Sequence, residues 1–202
     1  MDRKLLLTGA ISFLLLGTLA VAVFIFANPE VPRGTTYGEP YPPAKEFTLI
    51  RADGSVFSLS DYRGKLVLLF FGYTSCPDFC PTTLAELNRA LETLQPGDAD
   101  EIQIVLITVD PARDTPERIQ DYVENFNTDF IGLSGTEEEL APIWNGYGIF
   151  RAIPGTASAG GYLVDHTARV TLIDRQGNLR LSFPSDMPVE DIVHDLKLML
   201  RE

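Results

Sequence analysis

The stretch that most constrains this chain runs from Leu66 to Thr83, LVLLFFGYTSCPDFCPTT. Its first six residues are apolar without alternation, as in a strand covered on both faces. Gly72 closes the run. A turn-rich segment then holds Cys76 and Cys80, the only two cysteines in the sequence. After Pro81, the residues Leu84, Leu87, Leu91 and Leu94 fall on one helical stripe. The chain therefore places a cysteine pair between a buried strand and the helix after it.

Proline favours the first helical position, where its missing N–H costs nothing. Pro81 thus predicts a helix that begins there, with Cys80 near the cap and Cys76 in the loop. The unpaired N–H groups and partial positive charge of a helix start favour a thiolate, which predicts a lowered pKa for Cys80. On a regular helix, residues four apart have Cβ atoms about 5–6 Å apart. A disulfide wants about 3.5–4.5 Å. The loop relaxes that limit, so the pair could bridge or could jointly grip a soft metal ion. A purely structural bridge across so short a loop would add little stability.

Formal net charge is −12, from 28 acidic and 16 basic residues. No basic patch of the kind a nucleic-acid surface needs is evident, so no nucleic-acid partner is expected. The length of 202 residues suits one domain once the N-terminal apolar run is set aside.

That run, Leu5 to Ala27, carries no charge and comes after Asp2-Arg3-Lys4. At 1.5 Å per residue it is long enough for a bilayer core of about 30 Å. Ala20-Val21-Ala22 resembles a signal-peptidase site, but the apolar run continues through Phe26, longer than a usual signal core. Residues 1–27 are therefore expected to be a cytoplasmic stub and transmembrane anchor, with Arg3 and Lys4 inside and the rest outside. Residues 28–43, with five prolines, read as an extended spacer, and residues 44–202 as the folded domain.

Phe47–Ile50 and Val56–Leu59 flank Asp53-Gly54, a hairpin signal. Ile102 to Val109 is a second buried strand. Thr115 before Pro116 predicts a capped helix toward Phe126, and Thr136 caps another from about Glu137 to Asn145. Tyr162–Val164 reads as a short strand that Asp165-His166-Thr167 interrupts, before Val170–Asp174 resumes and Leu179–Phe183 pairs back. Pro188 opens the last helix. This order gives an α/β sandwich on a mixed sheet, and a cysteine pair between the central strand and its helix is the thioredoxin-like arrangement.

The chain has two histidines. His194, on the last helix, reads as an ordinary surface residue. His166 alone would read as a satisfied loop residue, but a break in a strand beside the central one can aim it at the cysteine loop. Cys76, Cys80 and His166 would form a set of two sulfurs and one nitrogen, which suits copper. Structural zinc usually takes four protein ligands and iron–sulfur clusters four cysteines, and neither set is in evidence. A peroxidase would need a Thr-x-x-Cys-like setting with a nearby arginine, which Thr74-Ser75-Cys76 does not supply.

FGYTSCPDFCPTTL, Phe71 to Leu84, resembles the signature of the Sco/SenC family of copper chaperones. Val109-Asp110-Pro111 with Arg113 to Glu117 resembles that family's second block, and Tyr162 to Ala168 its third. Ser75 and Phe79 depart from the commonest residues at their places, without removing a ligand. The resemblance implies a thioredoxin-like fold tethered in an inner membrane, facing the periplasm or intermembrane space. It implies copper, as Cu(I), Cu(II) or both, held by Cys76, Cys80 and His166, with Asp165 orienting His166 and with Asp110 and Arg113 fixing the nearby loop. It implies delivery to the binuclear copper site of cytochrome c oxidase, in subunit II, and a copper donor or thiol reductant as further partner. A second reading stays open: a membrane-tethered thiol–disulfide reductase in which Cys76 and Cys80 are catalytic and keep the oxidase cysteines reduced.

Overall fold

The structure, a computed structural model, describes residues 13–18, 30–153 and 161–202. The chain divides into two units, residues 1–31 and a compact unit of residues 32–202. Residues 13–18 are helical. The expected anchor, Leu5 to Ala27, otherwise lies outside the described residues, among which no helix is long and apolar enough to cross a membrane.

In the compact unit, β1 (Thr35–Thr36), the hairpin β2 (Thr48–Ile50) and β3 (Val56–Ser58), and β4 (Leu66–Gly72) lead into α1 (Phe79–Thr93). Next come β5 (Ile102–Thr108), α2 (Pro116–Glu124), β6 (Ile131–Leu133) and α3 (Glu137–Gly146). The strand pair β7 (Arg151–Ala152) and β8 (Asp165–His166), the pair β9 (Arg169–Ile173) and β10 (Leu179–Pro184), and α4 (Val189–Leu200) complete it. The main sheet is mixed, in the order β1-β10-β9-β4-β5-β6. β4, β5 and β6 run parallel, whereas β9 is antiparallel to β4 and β10 to β9.

All seven residues of β4 are buried, so both faces of the central strand are covered. Burying a leucine or phenylalanine of this kind is worth about 1.5–3 kcal/mol, which makes β4 a fixed frame for the cysteine loop mounted on its end. The Asp53-Gly54 turn forms as expected, with Gly54 at φ +81°, where a side chain would be strained. Thr115 and Thr136 both cap their helices, the latter in a full capping box with Glu139.

Four expectations need correction. The helix after the cysteine loop starts at Phe79, two residues before Pro81, which sits within the first turn. None of the N–H groups in that turn has a helical partner, so proline is tolerated at any of those positions. The spacer of residues 28–43 joins the fold from Pro32 onward. Thr35 and Thr36 pair with Ser182 and Leu181, and the N–H groups of Arg33 and Gly34 donate to the Asp195 carboxylate. Tyr162–Val164 is not a strand; the strand is Asp165–His166, paired with β7 rather than with the main sheet. His194 is half-buried and bonded to Asp195 through Nδ1 at 2.9 Å, not an unengaged surface residue.

Candidate metal centre

β4 ends at Gly72, level with Thr108 at the end of β5. The loop Tyr73–Asp78 turns there, with the Cys76 N–H donating to the Tyr73 carbonyl at 3.2 Å. Cys80, at the second position of α1, is fully buried, while Cys76 is half-buried. The Cys80 N–H donates to Cys76 Sγ at 3.4 Å. Both thiols are free. A Cβ on Gly72 would stand 2.9 Å from Cys80 Sγ, so the glycine at the strand end is what leaves room for the inner sulfur.

The electrostatics reverse the expected assignment of the thiolate. Cys76, not Cys80, is the acidic one, with its pKa lowered to about 5. The main cause is a hydrogen bond from the Cys80 thiol; the backbone N–H groups of Asp78 and Cys80 and the charge of His166 add to it. The Cys80 pKa is pushed far up, first by that same hydrogen bond, then by burial and by repulsion from the Cys76 thiolate. The helix start does favour a thiolate, but its N–H groups reach the loop sulfur rather than the sulfur carried on the helix.

The loop is held from below by Asp114, which is fully buried. Its carboxylate accepts from the Thr74 N–H at 3.0 Å, the Thr74 hydroxyl at 2.6 Å and the Thr108 hydroxyl at 2.7 Å. Arg118 donates to the Thr74 and Ser75 hydroxyls at 2.9 and 3.2 Å. Sequence reasoning gave Asp114 no role and missed this one. No local signal marks it, because the donors it serves, on Thr74 and Thr108, lie in other elements.

His166 stands on β8, half-buried, with its ring edge-on to Tyr73, the centroids 5.8 Å apart. Its Nδ1 lies 3.1 Å from the Thr167 carbonyl oxygen. A carbonyl only accepts, so Nδ1 carries a proton; a neutral ring held this way would present Nε2 as the lone pair a metal-binding imidazole needs. The partner expected to orient the ring, Asp165, is exposed, and Thr167 does that work instead. Asp78, also exposed, is the N-cap of α1 without a side-chain hydrogen bond.

The structure thus brings Cys76 and Cys80 together, and His166 meets edge-on the ring of Tyr73, a residue of the cysteine loop. Among the described residues no group of three or more His, Cys, Asp or Glu side chains already encloses a metal position. The donor types nevertheless fit a soft ion: an ionised sulfur, a second sulfur behind it and an imidazole. The same pair could also do thiol–disulfide exchange, with Cys76 as the attacking thiolate and Cys80 as the buried second thiol.

Residues 36–201 match the SCO1/SenC family model. The chain is 34% identical over 188 residues to an SCO2-like protein of Rickettsia typhi, covering 91% of this chain and 92% of that one. Apo Sco1 from Thermus thermophilus superposes with a TM-score of 0.76 at 37% identity, over 84% of this chain and 98% of that one. Bradyrhizobium japonicum ScoI, solved with copper bound, gives 0.69 at 35% identity, over 78% and 99%.

Proposed function

This chain belongs to the SCO1/SenC family, and on that footing we propose that it is a copper chaperone that loads the binuclear copper site of cytochrome c oxidase. The observation that carries this reading is the acidic, half-exposed Cys76 thiolate backed by Cys80, with the His166 ring against Tyr73 of the same loop. Relatives solved with copper bound support it, among them ScoI of Bradyrhizobium japonicum and Sco1 of yeast. The family is described as one of cytochrome c oxidase assembly proteins.

In this reading copper is cargo. Cys76, Cys80 and His166 Nε2 hold it, and it leaves by exchange onto the cysteines of oxidase subunit II. Capture requires both thiols reduced, because a Cys76–Cys80 disulfide has no thiolate to offer. The apolar run Leu5 to Ala27 would anchor the chain in the inner membrane as a single pass, with the domain in the periplasm or intermembrane space.

The test is copper titration of the full-length reduced chain under anaerobic conditions. One copper per chain is expected, with affinity falling at least about 10-fold in His166→Ala, as loss of a ligand costs no less than loss of its orienting partner. Unchanged affinity in that variant would discard the three-ligand set.

The polarity of the cysteine pair favours one second reading, a thiol–disulfide reductase. The Cys76 thiolate would attack a partner disulfide, forming a mixed disulfide and releasing one partner thiolate. Cys80 would then lose its proton and attack Cys76 Sγ, which releases the second partner thiol and leaves the pair oxidised. That exchange does not need His166, so reductase activity that survives His166→Ala alongside unchanged copper affinity would favour it.

A further inference from the structure

The segment that carries His166 has its own fastening to the cysteine loop, and its centre is Arg113. The Arg113 guanidinium lies 3.8 Å from the ring centroid of Tyr162 and 5.7 Å from that of Tyr73. Tyr73 belongs to the cysteine loop, and Tyr162 precedes His166 by only four residues. Asp110, fully buried, braces the arrangement: one carboxylate oxygen accepts from Arg113 Nε and the other from the Tyr162 hydroxyl at 2.7 Å. The Val164 N–H donates to the Tyr73 hydroxyl at 3.2 Å, and the Tyr73 ring meets the imidazole. Arg113 Nη2 is buried without a hydrogen-bond partner among the described residues. The head group is therefore held by ring faces and one carboxylate, a task for a planar guanidinium that an ammonium does not match.

Asp110 and Arg113 grip the histidine segment, while Asp114, on the same turn between β5 and α2, grips Thr74 of the cysteine loop. One short turn thus holds both halves of the candidate site. We propose that Arg113, braced by Asp110, is a positioning residue that sets His166 against the cysteine loop and so governs what the imidazole adds to copper binding. The proposal rests on the copper-carrier reading above for its functional half, and on the apo protein alone for its structural half.

The test is a double-mutant cycle on the full-length reduced chain, with copper affinity and the nitrogen hyperfine signal of bound Cu(II) as readouts. Arg113→Gln is expected to weaken copper binding about 10-fold, as loss of an outer partner does, and to diminish the imidazole signal. Arg113→Lys should not rescue it. In the His166→Ala background, Arg113→Gln should cost less than about 2-fold more, because the two act through one ligand. Tyr162→Phe, which removes a single hydroxyl and keeps the ring, guards against a variant that fails to fold and should weaken binding in the same direction. In the apo protein, amide exchange at Val164 should quicken in Arg113→Gln. Full additivity in the cycle, rescue by lysine, or copper binding in Arg113→Gln equal to wild type would overturn the proposal. If His166→Ala itself leaves copper affinity unchanged, the three-ligand reading fails separately. Val164 exchange then decides the structural half, and an unchanged rate overturns it.

Discussion

The N–H of Cys80 donates to the sulfur of Cys76, and the hydrogen bond between the two thiol side chains at the same place gives the cysteines opposite characters. The half-exposed sulfur collects hydrogen bonds and becomes acidic, while the buried one supplies a thiol proton and resists ionisation. Under either proposed function, metal capture or exchange, Cys76 is the sulfur expected to act first and Cys80 second.

The first prediction comes from that order. With a Cys76 pKa of about 5, iodoacetamide should alkylate Cys76 at a rate that is nearly flat from neutral to mildly alkaline pH and falls as pH drops through about 5. The folded pKa lies below that of the unfolded thiol. The accompanying stabilisation is therefore complete above the unfolded pKa and is lost as the medium is acidified through the folded one. Cys80 should stay unmodified until the protein unfolds. Mass spectrometry of alkylated peptides across pH reads both; preferential labelling of Cys80 in the native protein would contradict the assignment.

Gly72 is the second point of leverage. A methyl group there would come within 2.9 Å of Cys80 Sγ and 3.2 Å of a Leu106 methyl, inside a core where every β4 residue is buried. Gly72→Ala should destabilise by about 1–3 kcal/mol, the usual cost of overpacking. It should also raise the alkylation of Cys80, because the sulfur has to give way. Denaturant midpoints and native-state labelling measure the two effects together, and a midpoint that does not fall with labelling that does not rise would mean that the cradle is slack.

Asp114 gives the third. Asp114→Ala leaves the Thr74 N–H and the Thr74 and Thr108 hydroxyls without the carboxylate they share in a buried place. Leaving buried donors without an acceptor costs about 1–3 kcal/mol, and that loss is expected in urea unfolding. Asp114→Asn keeps one acceptor oxygen and should recover part of it. Faster amide exchange at Thr74 in the alanine variant would locate the damage in the cysteine loop.

Much of this architecture is legible in the sequence, for physical reasons that differ by element. β4 and β5 announce themselves because buried parallel strands are apolar on both faces. The caps at Thr115 and Thr136 are readable because their side chains satisfy open N–H groups. β6 is only Ile131-Gly132-Leu133, too short for any period to register, and β1 is two threonines whose partner lies far along the chain in β10. Pro81 points to a first turn without fixing which residue opens it, and that ambiguity carried the thiolate to the wrong cysteine. His166 is marked by the break in its strand pattern and by its motif. Its neighbours are Tyr73, in the cysteine loop, and the Thr167 carbonyl, and its strand pairs with β7, which no local pattern announces.

The last prediction concerns where the chain enters the domain. Asp195 is fully buried on α4, and its carboxylate accepts from the Arg33 N–H at 2.9 Å and the Gly34 N–H at 2.7 Å while also meeting His194. A Cβ on Gly34 would stand 2.7 Å from the Phe183 ring, so the backbone lies directly against the sheet and the carboxylate. β1 has only two residue pairs with β10, too few to hold a strand without such a clasp. Asp195→Ala should release the segment: amide exchange at residues 33–36 should rise toward open-chain rates while exchange in β4 and β5 stays slow. Stability should fall by about 1–3 kcal/mol, the cost of leaving buried N–H groups without an acceptor. If residues 33–36 stay protected in that variant, the pairing with β10 suffices and the clasp is dispensable.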